Sequence, residues 1–218
     1  MNSINSITGT PGDDNLFGTV GNDRIRGLDG NDQIFGNEGI NSLFGGDGND
    51  QIFGGSQRDF IRGGNGNDTI RGAEGVNTLY GGNGNDLIEG GSQRDLIYGG
   101  SGNDTLRGAE GNNRIYGGSG NDMIYSGSGN DFINSGSGYD TISLGGGEDR
   151  IVLNTGDGFD TIKNFQLGLT TFDVANPNQL SIVDGYNGAQ ISSGGDLLAV
   201  VSSTQASTLI DNLDMVFV

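Results

Sequence analysis

Along residues 9–152 one apolar position recurs every nine residues and is Leu or Ile in all sixteen units, from Leu16 and Ile25 to Ile142 and Ile151. Glycine and polar residues fill most of the intervals. A clean unit is Gly45-Gly46-Asp47-Gly48-Asn49-Asp50-Gln51-Ile52-Phe53. Its first six residues read as a turn, because glycine reaches positive φ at little steric cost. Its last three read as a short strand, with Ile52 pointing inward and its neighbours outward. One such strand cannot bury its Ile, so the units must coil and stack. Two units per turn put the odd-numbered units, counted from Gly9, on one sheet and the even-numbered units on the other. The pattern predicts an all-β parallel solenoid of about eight turns around a double row of Ile and Leu. A seventeenth unit, ending Gly158-Phe159-Asp160-Thr161-Ile162, follows after a one-residue slip.

The sixth position of the unit adds chemistry to this shape. It is Asp in thirteen units and Asn in three: Asn41, Asn77 and Asn113. Stacking brings these carboxylates together in a chain that already carries 28 acidic and 10 basic side chains, a formal charge of −18. A surface this acidic repels phosphates, which argues against nucleic acid as a partner. His and Cys are absent, so the usual zinc ligands, thiol chemistry and any His-based triad are excluded. No run of about 18 apolar residues is present, so no transmembrane segment is expected. Residues 1–8 carry no basic or apolar signal-peptide segment. A period of nine rather than three excludes collagen.

The unit resembles the calcium-binding nonapeptide of the RTX (repeats-in-toxin) family. The resemblance rests on sixteen copies in register and covers residues 9–163. It implies a right-handed parallel β-roll with Ca²⁺ held between successive turns along an edge. In that family the sixth-position Asp supplies a carboxylate, and backbone carbonyls near the first four positions complete the oxygen shell. Hard oxygen donors suit Ca²⁺ on general grounds as well. In the odd-numbered units the matching carboxylates are Asp14, Asp32, Asp50, Asp68, Asp86, Asp104, Asp122 and Asp140. The matching turn glycines are Gly27 and Gly30, then Gly45, Gly46 and Gly48, then Gly63, Gly64 and Gly66. They continue with Gly81, Gly82 and Gly84, with Gly99, Gly100 and Gly102, and with Gly117, Gly118 and Gly120.

The even-numbered units depart from the pattern. Two read Gly-Gly-Ser-Gln-Arg-Asp (54–59 and 90–95), which puts Gln57 and Gln93 where the family has Gly. Three combine the sixth-position Asn with Glu38, Glu74 or Glu110 at the third position. A left-handed Gln costs about 1–2 kcal/mol, so those two turns are expected to take another shape. Stacking predicts Glu38, Arg58, Glu74, Arg94 and Glu110 as an alternating ladder, in which a guanidinium replaces a divalent ion. Every even-side gap from Asp23 to Asp131 has an Asn on one side, and only Asp131 with Asp149 offers two carboxylates. Asp160 extends the odd edge by one place. The expectation is seven to nine bound Ca²⁺, nearly all on the edge from Asp14 to Asp140.

The outward ninth positions carry Phe17, Phe35 and Phe53 on one face and Phe44, Tyr80, Tyr98 and Tyr116 on the other. Arg26, Arg62, Arg71 and Arg107 are interleaved with them. These rows read as cross-strand ladders that stabilise the sheets. The alternative is a platform for polysaccharide or cell-surface components. After Lys163 the nonapeptide ends, and segments 180–183 and 197–201 read as longer strands. Residues 164–218 are therefore expected to cap the solenoid. The terminus Asp214-Met215-Val216-Phe217-Val218 resembles the type I secretion signals of RTX exoproteins, and its other reading is the last strand of the cap. The chain divides into a lead-in (1–8), the repeat array (9–163) and a β cap with the secretion signal (164–218). It reads as a secreted, extracellular or cell-surface calcium-binding protein whose folding is coupled to the ion. Only eight residues precede Gly9, so an enzyme is not expected. An adhesive module, or the C-terminal folding and secretion module of a larger RTX exoprotein, is the alternative.

Overall fold

The computed structural model describes residues 4–156 and 158–218. Turn and strand alternate along the array, and the strands fall into two sheets of ten and twelve strands. Within each sheet, strands from consecutive coils pair in parallel at an offset of 18 residues, with Ile25 opposite Leu43 and Ile34 opposite Ile52. Two nonapeptides therefore make one coil. Nine coils of a parallel β-solenoid stack in this way, from Asn15–Phe17 to Asp160–Lys163 on the second sheet.

The eighth-position residues meet between the sheets. Every one from Ile25 to Ile142 has no exposed surface, and two adjoining files of Ile and Leu form the core of the array. Burying one such side chain is worth about 1.5–3 kcal/mol. No larger apolar layer backs this core, so each coil depends on hydrogen bonds to its two neighbours.

The first strand, Asn5–Thr8, lies ahead of Gly9 in what the sequence reading sets aside as a lead-in. Ile7 stands opposite Ile25, on the same nine-residue grid as Leu16. At the other end the offset grows. Ile142 pairs with Ile162, an offset of 20, so the expected one-residue slip is in fact an insertion of two. The added residues fall between the strands Asp149–Leu153 and Asp160–Lys163.

The two Gln turns also differ from expectation. Gln57 and Gln93 remain in the left-handed region, with φ of 72° and 75°, in place of the expected change of shape. Neighbouring coils hold them there. Ser56 N–H donates to the Asn37 carbonyl at 2.9 Å and Glu74 N–H to the Gly55 carbonyl at 3.0 Å, so the turn between them has one register available. The ladder absorbs a cost of about 1–2 kcal/mol per residue.

Beyond Lys163 the solenoid is closed rather than continued. Thr170–Val174 still pairs in parallel, at an offset of 21. Asp196–Ser202 pairs with Asp160–Lys163, after which Gly188–Ser193 and Leu180–Gly185 turn antiparallel. Two short helices, Ala206–Ile210 and Leu213–Val216, bury Leu209 and Val216 against this end. The terminal residues are thus mainly helical rather than a strand, and Val218 N–H donates to the Phe172 carbonyl at 2.9 Å. Among the described residues no helix is long and apolar enough to cross a membrane.

A two-file core makes a simple prediction. Ile97→Ala, at a position with no exposed surface, should lower stability in Ca²⁺ by about 2–5 kcal/mol in urea unfolding. Met123→Ala, at an outward position 44% exposed, should change it by less than about 0.5 kcal/mol. Similar losses for the two would contradict the core described here.

Candidate metal centre

The sixth-position carboxylates sit where turn becomes strand, inside the coil. Asp32, Asp50, Asp68, Asp86, Asp104, Asp122 and Asp140 are all buried. One oxygen of each is used in the same way. Oδ1 of Asp32 accepts the N–H of Asp14 at 2.9 Å, Oδ1 of Asp50 accepts that of Asp32 at 2.8 Å, and the series continues to Asp140. Each bond crosses one coil, so the carboxylates form a column along the odd edge. The other oxygen, Oδ2, is shielded from solvent and, among the described residues, has no hydrogen-bond partner in any of these seven. A buried charged oxygen without a donor is strongly unfavourable.

The glycines shape what surrounds that oxygen. A Cβ on Gly27, Gly45, Gly63, Gly81, Gly99 or Gly117 would collide with Oδ2 of the same unit's Asp and with a first-position carbonyl of the next coil. Gly46, Gly64, Gly82, Gly100 and Gly118 lie at positive φ, each against the second-position carbonyl one coil earlier. Gly30, Gly48, Gly66, Gly84, Gly102 and Gly120 do the same against the fourth-position carbonyl. The fold therefore brings the sequence-expected carboxylates and turn carbonyls onto one edge. Among the described residues no three acidic side chains converge. A cation here would draw most of its donors from the backbone, and an all-oxygen set of carboxylates and carbonyls fits Ca²⁺. The unpartnered Oδ2 supplies the negative charge such a site needs.

Burial dominates the titration of this column. It pushes Asp50 and Asp86 up to about 6, and Asp68, Asp104 and Asp122 up to about 7, against the opposing effect of the backbone hydrogen bond. Neighbouring carboxylates add to the rise, as Asp86 and Asp50 do for Asp68. Asp32 and Asp140 are raised as well, with burial again the first cause.

The ends of the columns are finished by protein donors. Asp14 Oδ2 accepts the N–H and the hydroxyl of Thr10, the latter at 3.0 Å. Asp23 Oδ2 accepts the N–H of Thr19 at 2.6 Å. Asp160 lies in register beneath Asp140, since Thr161 pairs with Thr141, and its Oδ2 accepts the Ser135 hydroxyl at 2.7 Å. On the even edge Asp131 N–H donates to Oδ1 of Asp149 at 3.1 Å, which places those two carboxylates in one gap.

Along the rest of the even edge Asp and Asn alternate through Asp23, Asn41, Asp59, Asn77, Asp95, Asn113 and Asp131, linked by the same cross-coil bond. The expected Glu–Arg ladder does not form. Among the described residues the ion pairs are Arg71 with Glu89 at 3.6 Å and Arg150 with Asp173, and Glu38, Glu74 and Glu110 join neither. These side chains and those of Arg58 and Arg94 are exposed, and an ion pair held in solvent gains little.

Sequence reading passed over the fifth position. Asn49 N–H donates to Oδ1 of Asn31, and the relay continues through Asn67, Asn85 and Asn103 to Asn121 at 2.6–2.8 Å. It runs beside the carboxylate column, and its signal is the recurring Gly-Asn-Asp of the odd units. The aromatic rows are ladders. Phe17, Phe35 and Phe53 stack at 5.0 Å within 5° of parallel, and Tyr80, Tyr98 and Tyr116 at 4.7 and 4.8 Å. Their faces cover one another, as in cross-strand pairing.

Seven overlapping segments match the family model of the RTX calcium-binding nonapeptide repeat: 8–43, 35–70, 44–79, 62–97, 71–106, 98–133 and 125–162. Together they span residues 8–162, more than two thirds of the chain. Comparison with curated proteins finds no match.

The raised carboxyls set a pH dependence for the metal-free chain. Between about pH 4 and pH 7 the folded chain binds more protons than the unfolded one, so its stability is full below about pH 4 and falls as pH rises to about 7. In chelator, the melting midpoint should therefore be higher at about pH 5.5 than at about pH 7.5. The opposite order would show that these carboxylates are not buried as described.

Proposed function

The chain belongs to the family of RTX calcium-binding nonapeptide repeats, and on that premise we propose a secreted protein whose folding is coupled to Ca²⁺ taken up mainly along the edge from Asp14 to Asp140. The observation that carries this reading is the file of buried, unpartnered Oδ2 atoms on that edge. Bound Ca²⁺ supplies the positive charge and coordination that those oxygens and the adjoining carbonyls call for. The residues of the chain prepare the place. Oδ1 ties each Asp to the coil before it, and the first-position glycine leaves room for Oδ2. The fifth-position Asn relay holds consecutive turns at one spacing.

Without the ion, carboxylates stacked one coil apart oppose folding. Seven doubly charged ions would bring the formal charge from −18 to −4. Because the pairs of turns that create the site exist only in the folded chain, binding energy becomes folding energy. Scarce Ca²⁺ inside a cell would leave the chain open for export, and abundant Ca²⁺ outside would close it. The acidic-then-apolar terminus 214–218 fits a type I export signal read before folding, since Val216 is buried and Phe217 packs on the core once the cap forms. The reading is the same whether these residues act alone or close a longer exoprotein. An adhesive role has less support, because the stacked rings have spent their faces on one another.

Two outcomes are expected. In chelator the chain should lose part of its far-ultraviolet β signal, expand and melt at a lower temperature, and added Ca²⁺ should reverse all three. An unchanged spectrum and melting midpoint in chelator would reject the coupling. In a host carrying a type I system, deletion of residues 214–218 should abolish export, and undiminished export of the truncated chain would reject the signal.

A further inference from the structure

The sixth-position side chains of the three Asn turns on the even edge differ from those of its Asp turns at a single heavy atom. In the Asp turns, the seat beside the first-position glycine holds Oδ2: a Cβ on Gly54 or Gly90 would lie 2.6 Å from Oδ2 of Asp59 or Asp95. In the Asn turns the same seat holds the amide nitrogen, 2.7–2.8 Å from a Cβ on Gly36, Gly72 or Gly108. That nitrogen has hydrogens to give. Nδ2 of Asn41 donates to the Gly39 carbonyl at 3.3 Å and reaches that of Glu38 at 3.5 Å. Asn77 repeats this with Gly75 and Glu74 at the same distances, and Asn113 donates to Gly111 at 3.1 Å. All three Asn are buried, at 1% exposure, and donate within their own turns, whereas Oδ2 of Asp59, Asp95 and Asp131 has no partner. Oδ1 keeps the same cross-coil bond in both kinds of turn.

We infer that Asn41, Asn77 and Asn113 are built-in substitutes for the cation, and that the gaps from Asp23 to Asp131 on this edge stay free of metal. A carboxylate oxygen in the shared seat repels a carbonyl oxygen at this range, unless it is protonated or a cation lies between them. An amide nitrogen in that seat attracts the carbonyl directly and brings no charge. Each of these six gaps is left with one carboxylate instead of two, and on its Asn side a turn carbonyl already accepts from the amide. Ca²⁺, which takes six to eight oxygens, finds half the carboxylates and fewer free carbonyls here than on the odd edge. The substitute is the Asn amide and not the guanidinium of Arg58 or Arg94. The solenoid then has one edge that needs Ca²⁺ and one whose middle holds its turns together without it. This inference rests on the reading that the odd edge takes up Ca²⁺.

Two variants test it, with bound Ca²⁺ per chain counted by elemental analysis after equilibration and desalting, and melting followed in chelator. The triple variant Asn41→Asp/Asn77→Asp/Asn113→Asp should carry about six more ions than wild type, one for each gap restored. The double variant Asp59→Asn/Asp95→Asn completes the amide column. It should lose no ions, and its midpoint in chelator should rise by several degrees. A triple variant that folds in Ca²⁺ with the wild-type ion count overturns the inference. So does a double variant that loses ions or melts lower in chelator, and so does a wild-type count of fourteen, seven for each edge. If the triple variant fails to fold, the double variant and the wild-type count decide. A wild type that binds no Ca²⁺ and ignores chelator overturns the proposed function itself, and this inference falls with it.

Discussion

A carboxylate oxygen that is buried and has no donor is the constraint on which this structure turns. The position-six Asp cannot move outward, because its Oδ1 holds the backbone of the coil before it. Its Oδ2 is thereby fixed in a dry seat seven times over on one edge, six of them beside a glycine. Such an atom must be protonated, paired with a donor or given a cation. The molecule displays one of these answers in its own side chains, where Thr10, Thr19 and Ser135 donate at the ends of the columns, and it removes the problem in three turns, where Asn replaces the oxygen. For the middle of the odd edge no side chain among the described residues provides a donor, and burial raises the carboxyls there because the charge is poorly tolerated.

The thin core explains why so much depends on the turns. Two files of Ile and Leu bury little apolar surface for the number of residues that must be ordered. Glycine adds to that burden, since it has the most conformational freedom to lose. A solenoid of this kind is stable only when each coil gains from the next, through strand pairing, Asn relays, ring ladders and a charge shared between turns. A ligand that exists only between coils therefore acts on the whole stack.

Most of the architecture was legible in the chain. Leu16 to Ile151 on a nine-residue grid determines the sheets, the 18-residue register and the buried files, and the sixth-position Asp marks the edge where acid accumulates. What escaped has physical causes. Ile7 lies on the grid, but its strand has no glycine turn ahead of it to announce it. Propensity argued against a left-handed Gln57, and hydrogen bonds from the coils on either side outweigh propensity. Charge counting paired Glu38 with Arg58, yet third and fifth positions point to solvent, and the compensation lies one residue further on, in the buried amide of Asn41. The difference between Oδ2 and Nδ2 is one letter in the sequence, and its meaning depends on which carbonyl lies within 3.5 Å.

The central claim is that a cation completes the odd edge at Oδ2 and that the even edge, between Asn41 and Asn113, takes up none, its Asn amides standing in for the metal. Anomalous diffraction from crystals grown in Ca²⁺ tests it most directly. The account predicts a single file of calcium peaks between the turns carrying Asp14 to Asp140, each about 2.3–2.6 Å from an Oδ2 atom. It predicts none between the turns carrying Asn41 and Asn113. Peaks shared equally by the two edges, or bound away from Oδ2, would contradict it.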